Sequence, residues 1–338
     1  MTSLWPDTLS SSIDLLTDDQ VKALIDTAVS RNDTVGIIND PSITWVPATA
    51  WKIAPDVVAK RCNPHEPYVM TYVASRSTSI RIPKVRRILP MRKGESLLGY
   101  SSMWLVMDFV DGDVMETAWP QMSWWNRLLT VWKLRKCVRE LCQIPVPRPN
   151  VPGPFDSTGK ALACSGYYFT ETGAGPFESY GAMADWFNHC RYSLLVDLHM
   201  GYGSFKPHLY PMLDASHPLV LCHMDLNMRN IIVDRRGKVW LIDWGMAGAF
   251  PPWLEYANMI LFARAARKDR RWPKSWTFFA SFIAGNYQWY DLSRDGNELD
   301  LSSPRNATSS QAQDAVIQPR VALNKRRLFN QPRRVRRG

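Results

Sequence analysis

Long apolar runs are missing from this 338-residue chain. No stretch of about twenty consecutive apolar residues occurs, so no membrane-spanning helix is expected. The opening stretch, MTSLWPDTLSSSIDLLTDD, carries acids and lacks the basic-plus-apolar pattern of a secretory signal. Without such a signal the sequon Asn306-Ala307-Thr308 carries little meaning. Cysteine is sparse and unpatterned. The six, at 62, 137, 142, 164, 190 and 222, form no C-x-x-C pair and no regular framework. A disulfide-stapled scaffold is therefore excluded, and a reduced cytoplasmic protein with free thiols is expected. Acids are missing from the far end: from Arg320 onward there are eight Lys or Arg and no Asp or Glu. The chain's net charge is +10, so the remainder is near neutral at +2. Basicity belongs to the tail. Such a run reads first as a solvated tail; it also suits a nuclear address, or charge contact with nucleic acid or an anionic surface through 320–338.

What is present is enough for one large domain or two lobes with a real core. Residues 1–40 read as a helical extension. Thr17-Asp18-Asp19-Gln20 resembles a capping box, and Leu15, Val21, Leu24, Ile25 and Val29 give the apolar stripe. Residues 42–61 read as strands, with a hairpin around Ala54-Pro55-Asp56. Trp104 to Val110 is an apolar strand that runs into Asp111-Gly112. Ser123 to Gln143 reads as a long amphipathic helix, with Trp125, Leu128, Leu129, Trp132 and Leu141 as core candidates. Five prolines between 145 and 154 exclude helix there and suggest an insert packed on the larger lobe. Helices are expected again near 180–199 and over Trp272–Tyr290. Residues 291–338 have little to bury and are expected to be disordered.

The stretch that organises the chain is Leu221–Gly245. Ile231-Ile232-Val233 and Val239-Trp240-Leu241-Ile242 flank the polar turn Asp234-Arg235-Arg236-Gly237, the pattern of an antiparallel hairpin. Asn230 precedes the first strand and Asp243 follows the second, equidistant from the turn, so pairing brings them to one end. An amide oxygen and a carboxylate there can share a Mg²⁺ ion. Asp225, on the entering loop, can orient a hydroxyl and take its proton. The simpler reading is a structural hairpin with polar turn residues.

These residues also carry a resemblance. His223-Met224-Asp225-Leu226 with Asn230 matches the kinase catalytic-loop pattern H-x-D-L-x-x-x-N, and Asp243-Trp244-Gly245 stands where kinases carry D-F-G. The context over roughly 40–290 is similar to the aminoglycoside phosphotransferase and choline kinase-like family, in particular its fungal branch. Met224 departs from the Gly common at that position, and no Gly-rich loop precedes Lys60. The resemblance implies an α+β, two-lobed protein-kinase-like fold with a small β-rich N-lobe and a larger helical C-lobe. It implies ATP and Mg²⁺ as cofactors. Lys60 would hold phosphates and Glu66 would fix Lys60. Asp108, Phe109 and Val110 would bind adenine, mainly through backbone groups. Asn230 and Asp243 would be the metal ligands, with Asp225 as catalytic base. His223 and Glu255 are expected to brace the loop. Only five residues separate Gly245 from Pro251, too few for a peptide-binding activation loop, so a small-molecule hydroxyl is the expected acceptor.

The expected divisions are an extension at 1–40, an N-lobe at 41–112, a C-lobe at 113–290 and a basic tail at 291–338. The expected activity is ATP-dependent phosphoryl transfer to a small-molecule hydroxyl. The alternative is a catalytically weak kinase-like scaffold, with nucleic-acid or membrane contact through the tail.

Overall fold

Alternating burial organises the first sheet. β1 (Ala50–Ala54) and β2 (Val57–Cys62) form the expected hairpin. With β3 (Val85–Pro90) and β4 (Met103–Asp108) they make an antiparallel sheet in the order β1-β2-β4-β3. The structure is a computed structural model that describes residues 10–36, 49–92, 102–166, 168–169, 173–199, 213, 215–268 and 273–287. The tail expected at 291–338, the strand residues expected at 42–48, and Trp272 with 288–290 lie outside the described residues.

Val57, Ala59, Trp104 and Val106 face one side of the sheet, and Val58, Cys62, Leu105 and Met107 the other. By the same alternation Lys60 of β2 falls on the second side. The first side is covered by α1 (Asp18–Arg31), which presents Val21, Ile25 and Ala28 at helical spacing. Full burial of a Val or Ile side chain contributes about 1.5–3 kcal/mol. Thr17 caps α1 as expected: its hydroxyl accepts from Gln20 N–H, and the Gln20 side chain accepts from Thr17 N–H. Leu15 does not join the stripe. It is 94% exposed, because Ser12–Leu15 is a 3-10 turn and Ile13 is the residue that points inward. Arg86 ties this extension to the end of β4, pairing with both Asp14 and Asp108.

α2 (His65–Ala74) follows β2 and buries Val69, Met70 and Val73 against the second side. Beyond β4 the chain forms β5 (Gly112–Val114), α3 (Met115–Ala118), α4 (Trp124–Leu141) and α5 (Tyr180–His199). Then come β6 (Val220–Cys222), β7 (Ile231–Asp234), β8 (Val239–Leu241) and β9 (Gly248–Phe250), and finally α6 (Pro252–Lys268) and α7 (Lys274–Ala284). The layout is α+β, β-rich towards the N-terminus and helical towards the C-terminus.

β5, β7 and β8 form a small sheet, and β6 pairs with β9. Gly112 makes the first possible: a Cβ there would lie 2.6 Å from the Val233 carbonyl and 2.8 Å from Asp234 Cα. The proline segment packs on the larger lobe as expected and also touches α2. Gly153 exchanges backbone hydrogen bonds with Ala249 of β9, at 2.8 and 2.9 Å, and the Pro145 carbonyl accepts from Tyr72.

α4 corrects an expectation. Its buried residues are Thr130, Val131, Leu134, Cys137, Val138 and Leu141. Of the expected core set only Leu141 is buried. Leu128 is half-buried, and Trp125, Leu129 and Trp132 are exposed. The helix carries apolar residues all round, so periodicity alone does not select its inner face.

Candidate active site

The hairpin register decides how the site is assembled. Ile231 pairs with Leu241, Ile232 with Trp240 and Val233 with Val239. The next opposed pair is Asn230 and Ile242, joined at 3.0 Å from Ile242 N–H to the Asn230 carbonyl. Asp243 therefore stands one residue past direct opposition, and the expected equal distance from the turn is off by one. In a regular strand that offset would send its side chain to the other face. Asp243 has φ 65°, so the chain leaves the strand there. A short polar residue tolerates this left-handed conformation better than most. Asn230 and Asp243 still share one end of the hairpin.

Lys60 reaches that end from β2. Its Nζ lies 2.6 Å from Glu66 Oε1 and 2.6 Å from Asp243 Oδ1. Burial works against the ammonium, but the Asp243 and Glu66 carboxylates outweigh it and hold the lysine's pKa above its ordinary value. Burial would likewise raise Asp243, yet the Lys60 charge prevails and its pKa is lowered. α2 is pinned here by adjacent residues. Glu66 holds Lys60, and His65 Nε2 lies 2.7 Å from the Gly245 carbonyl. Burial lowers the His65 pKa, so the ring is neutral and donates that bond.

Asp225 sits in a cage of amides. Asn227 Nδ2 donates to its Oδ1 at 2.7 Å and Asn230 Nδ2 to its Oδ2 at 2.7 Å. Burial, followed by the Asp243 charge, pushes its pKa up to about 8. Asn230 also donates to the Asp225 carbonyl at 2.9 Å, and its own amide oxygen accepts no hydrogen bond within the protein. The Asp243 side chain remains 45% exposed. An amide oxygen and a half-exposed carboxylate are hard ligands that suit Mg²⁺ when phosphate oxygens and water complete its shell. Among the described residues no cluster of three or more His, Cys, Asp or Glu makes a closed metal site. The donor set fits an open Mg²⁺ site.

The loop that carries Asp225 is braced from behind. His223 is fully buried, and burial lowers its pKa to about 4. Its Nδ1 accepts from Asp225 N–H, so Nε2 carries the proton and donates to the Ile242 carbonyl at 3.1 Å. Met224 has φ 66°, which explains why glycine suits this position. A non-glycine residue there costs about 1–3 kcal/mol unless its surroundings enforce it. They do: Glu255 Oε2 accepts from both His223 N–H and Met224 N–H, and the Met224 side chain is buried against Asn258. Glu255 Oε1 and Asn258 Oδ1 are both buried without a donor. Burial pushes the Glu255 carboxyl up to about 7, and a retained proton gives Oε1 something to donate.

In the expected adenine-binding stretch, Asp108–Val110, two backbone N–H groups are engaged within the protein. Asp108 N–H is bound to the Lys84 carbonyl at 3.0 Å and Phe109 N–H to the Asp56 carbonyl at 2.8 Å. Among the described residues the Val110 N–H has no partner. The Asp108 side chain is occupied by Arg86.

Lys60, Glu66, Asp225, Asn230 and Asp243 thus converge, and Asp108–Val110 lie at the end of the strand that pairs with β2. Two residues escaped the sequence reading. Asn227 had a local signal, an Asn between Asp225 and Asn230. His65 had only its place beside Glu66.

The phosphotransferase enzyme family model matches residues 51–292. The chain belongs to that family. It is an enzyme, a phosphotransferase. Among solved structures, this phosphotransferase is similar to aminoglycoside phosphotransferase APH(4)-Ia, at 14% identity over 80% of this chain and 87% of that chain, with a TM-score of 0.45. It is also similar to spectinomycin phosphotransferase APH(9)-Ia, in complex with ADP and spectinomycin, at 13% identity over 71% and 72%, with a TM-score of 0.41. Likenesses this distant say nothing about the acceptor. No curated protein matches the chain.

Proposed function

We propose that this phosphotransferase moves the γ-phosphate of ATP to a hydroxyl of a small molecule, with Asp225 as the base. The carrying observation is the meeting of Lys60, Asp243, Asn230 and Asp225 at one end of the β7–β8 hairpin. Lys60 holds the phosphates, positioned by Glu66. The Val110 N–H and nearby carbonyls take adenine. Asn230 and Asp243 would hold Mg²⁺, which when bound neutralises charge on the phosphates. Asp225 orients the acceptor hydroxyl. Its oxygen attacks the γ-phosphorus in line, the bond to the bridging oxygen breaks, ADP leaves, and the hydroxyl proton passes to Asp225. Catalysis on this reading is mostly positioning.

The short link after Asp243 supports a small acceptor. Gly248–Phe250 of that link are strand β9, paired with β6, and α6 begins at Pro252. A peptide would find no extended loop to lie on.

The test is transfer to a panel of small polyols and amino alcohols, followed by ³¹P NMR, for wild type and Asp225→Asn. The variant keeps the shape and loses the base. Transfer should fall roughly 10²–10⁴-fold with ATP binding retained. Near-wild-type transfer in the variant removes Asp225 as base. No transfer from wild type to any acceptor, with ATP bound, favours a nucleotide-binding scaffold.

A further inference from the structure

The outer face of α4 is apolar where a solvent-facing helix should be polar. Trp125, Leu129 and Trp132 recur at helical spacing and are 73%, 51% and 58% exposed. α7 extends the patch with Phe278 and Phe282, one turn apart, at 75% and 42%. The two rows are neighbours: the Arg135 guanidinium lies 4.4 Å over the Phe282 ring and donates to the Phe282 carbonyl. Trp124 meets Phe279 at 6.5 Å between ring centroids. Contiguous exposed aromatic surface of this kind marks an interaction site more often than scattered single residues do.

The charge on the same face identifies what it meets. Continuing the spacing of Trp125, Leu129 and Trp132 along α4 leads to Lys136 and Arg139, both exposed and neither in an ion pair. α4 and α7 carry one carboxylate between them, Glu140, and it is taken by Ser77 and Ser79. The face is therefore aromatic at one end, cationic at the other and free of acid. A second copy of it offers no carboxylate to Lys136 and Arg139, whereas anionic headgroups do. Indole and phenyl rings settle at headgroup depth, and Lys and Arg extend their charge to the lipid surface while their stems stay apolar. No helix among the described residues is long and apolar enough to cross a membrane, so the contact is one of lying on the surface.

We propose that the α4–α7 face docks on an anionic phospholipid surface, with Trp125, Trp132 and Phe278 entering the headgroup layer and Lys136 and Arg139 meeting its charge. This contact is independent of the phosphoryl-transfer site and of residues 320–338.

The test is co-sedimentation of the full chain with vesicles of phosphatidylcholine alone, and with about a third phosphatidylserine. Binding to the anionic vesicles is expected. Trp125→Ser with Trp132→Ser should weaken it about tenfold or more, and Lys136→Glu with Arg139→Glu by a similar factor. Both double variants should melt like wild type, because all four side chains are exposed. Absence of binding to anionic vesicles overturns the proposal. So does binding unchanged in both variants, which would assign it to the basic tail. A dimer that binds no lipid and that the tryptophan variant dissociates would make a second copy the occupant.

Discussion

At the end of β7 and β8 polar side chains are buried, while along the outer face of α4 apolar side chains are exposed. Both regions invert the usual sorting, and neither does so at random. Around Asp225 the chain enforces the partners: two amides on its carboxylate, His223 behind it, Glu255 holding the loop, with Glu255 Oε1 and Asn258 Oδ1 left as the exceptions behind the loop. Around Trp125 and Trp132 nothing among the described residues covers the rings. Exceptions to burial are more informative than the rule. A satisfied buried polar cluster points to chemistry, and an unsatisfied exposed apolar face points to something outside the molecule.

The contrast can be broken first on α4 itself. Leu134 is fully buried, and Leu134→Ala should cost about 2–5 kcal/mol in a denaturant melt. A loss no larger than that of an exposed leucine would mean that the inner face has been misassigned.

A second test sharpens the polar side. Burial raises the Glu255 pKa from 4.5 to about 7 in the folded state. The folded protein therefore holds a proton that the unfolded chain releases. Glu255 favours folding below its unfolded value, and that contribution is lost as pH climbs towards 7. Glu255→Gln has no such proton to lose. Wild type should lose stability relative to Glu255→Gln between about pH 5 and about pH 8, by on the order of 3 kcal/mol. A pH-independent difference between the two would show that Glu255 stays ionised.

The smallest effect is expected on the same helix as the largest. Leu129→Ala should change stability by less than about 0.5 kcal/mol. A large loss there would mean that the outer face is covered in the folded chain, and would remove the exposed half of the comparison.

The two regions also differ in how far the sequence revealed them. The hairpin was legible because its polar residues are fixed by distance from a turn, and strand pairing converts that distance into proximity. Its register was missed by one residue, since the positive φ of Asp243 is a backbone property no side-chain pattern announces. β4 was legible as an apolar strand running into Asp111-Gly112. The partners at its end were not, because the Asp108 and Phe109 N–H groups are taken by the Lys84 and Asp56 carbonyls through long-range contacts. α4 was legible as a helix and misread in orientation, since large tryptophans suggest a core while Val131, Leu134 and Val138 form an equally regular inner row. Leu15 failed for a local reason, as a 3-10 turn breaks the helical period.

On the proposed function, the end of the hairpin is a metal-dependent nucleotide site. Calorimetric titration of ATP with and without Mg²⁺, into wild type and Asp243→Ala, tests it most directly. Lys60 keeps Glu66 as partner in the variant, so metal-free ATP affinity should be no weaker than in wild type. Mg²⁺ should tighten ATP binding to wild type, and Asp243→Ala should abolish the gain. An equal gain from Mg²⁺ in both proteins, or none in wild type, would contradict it.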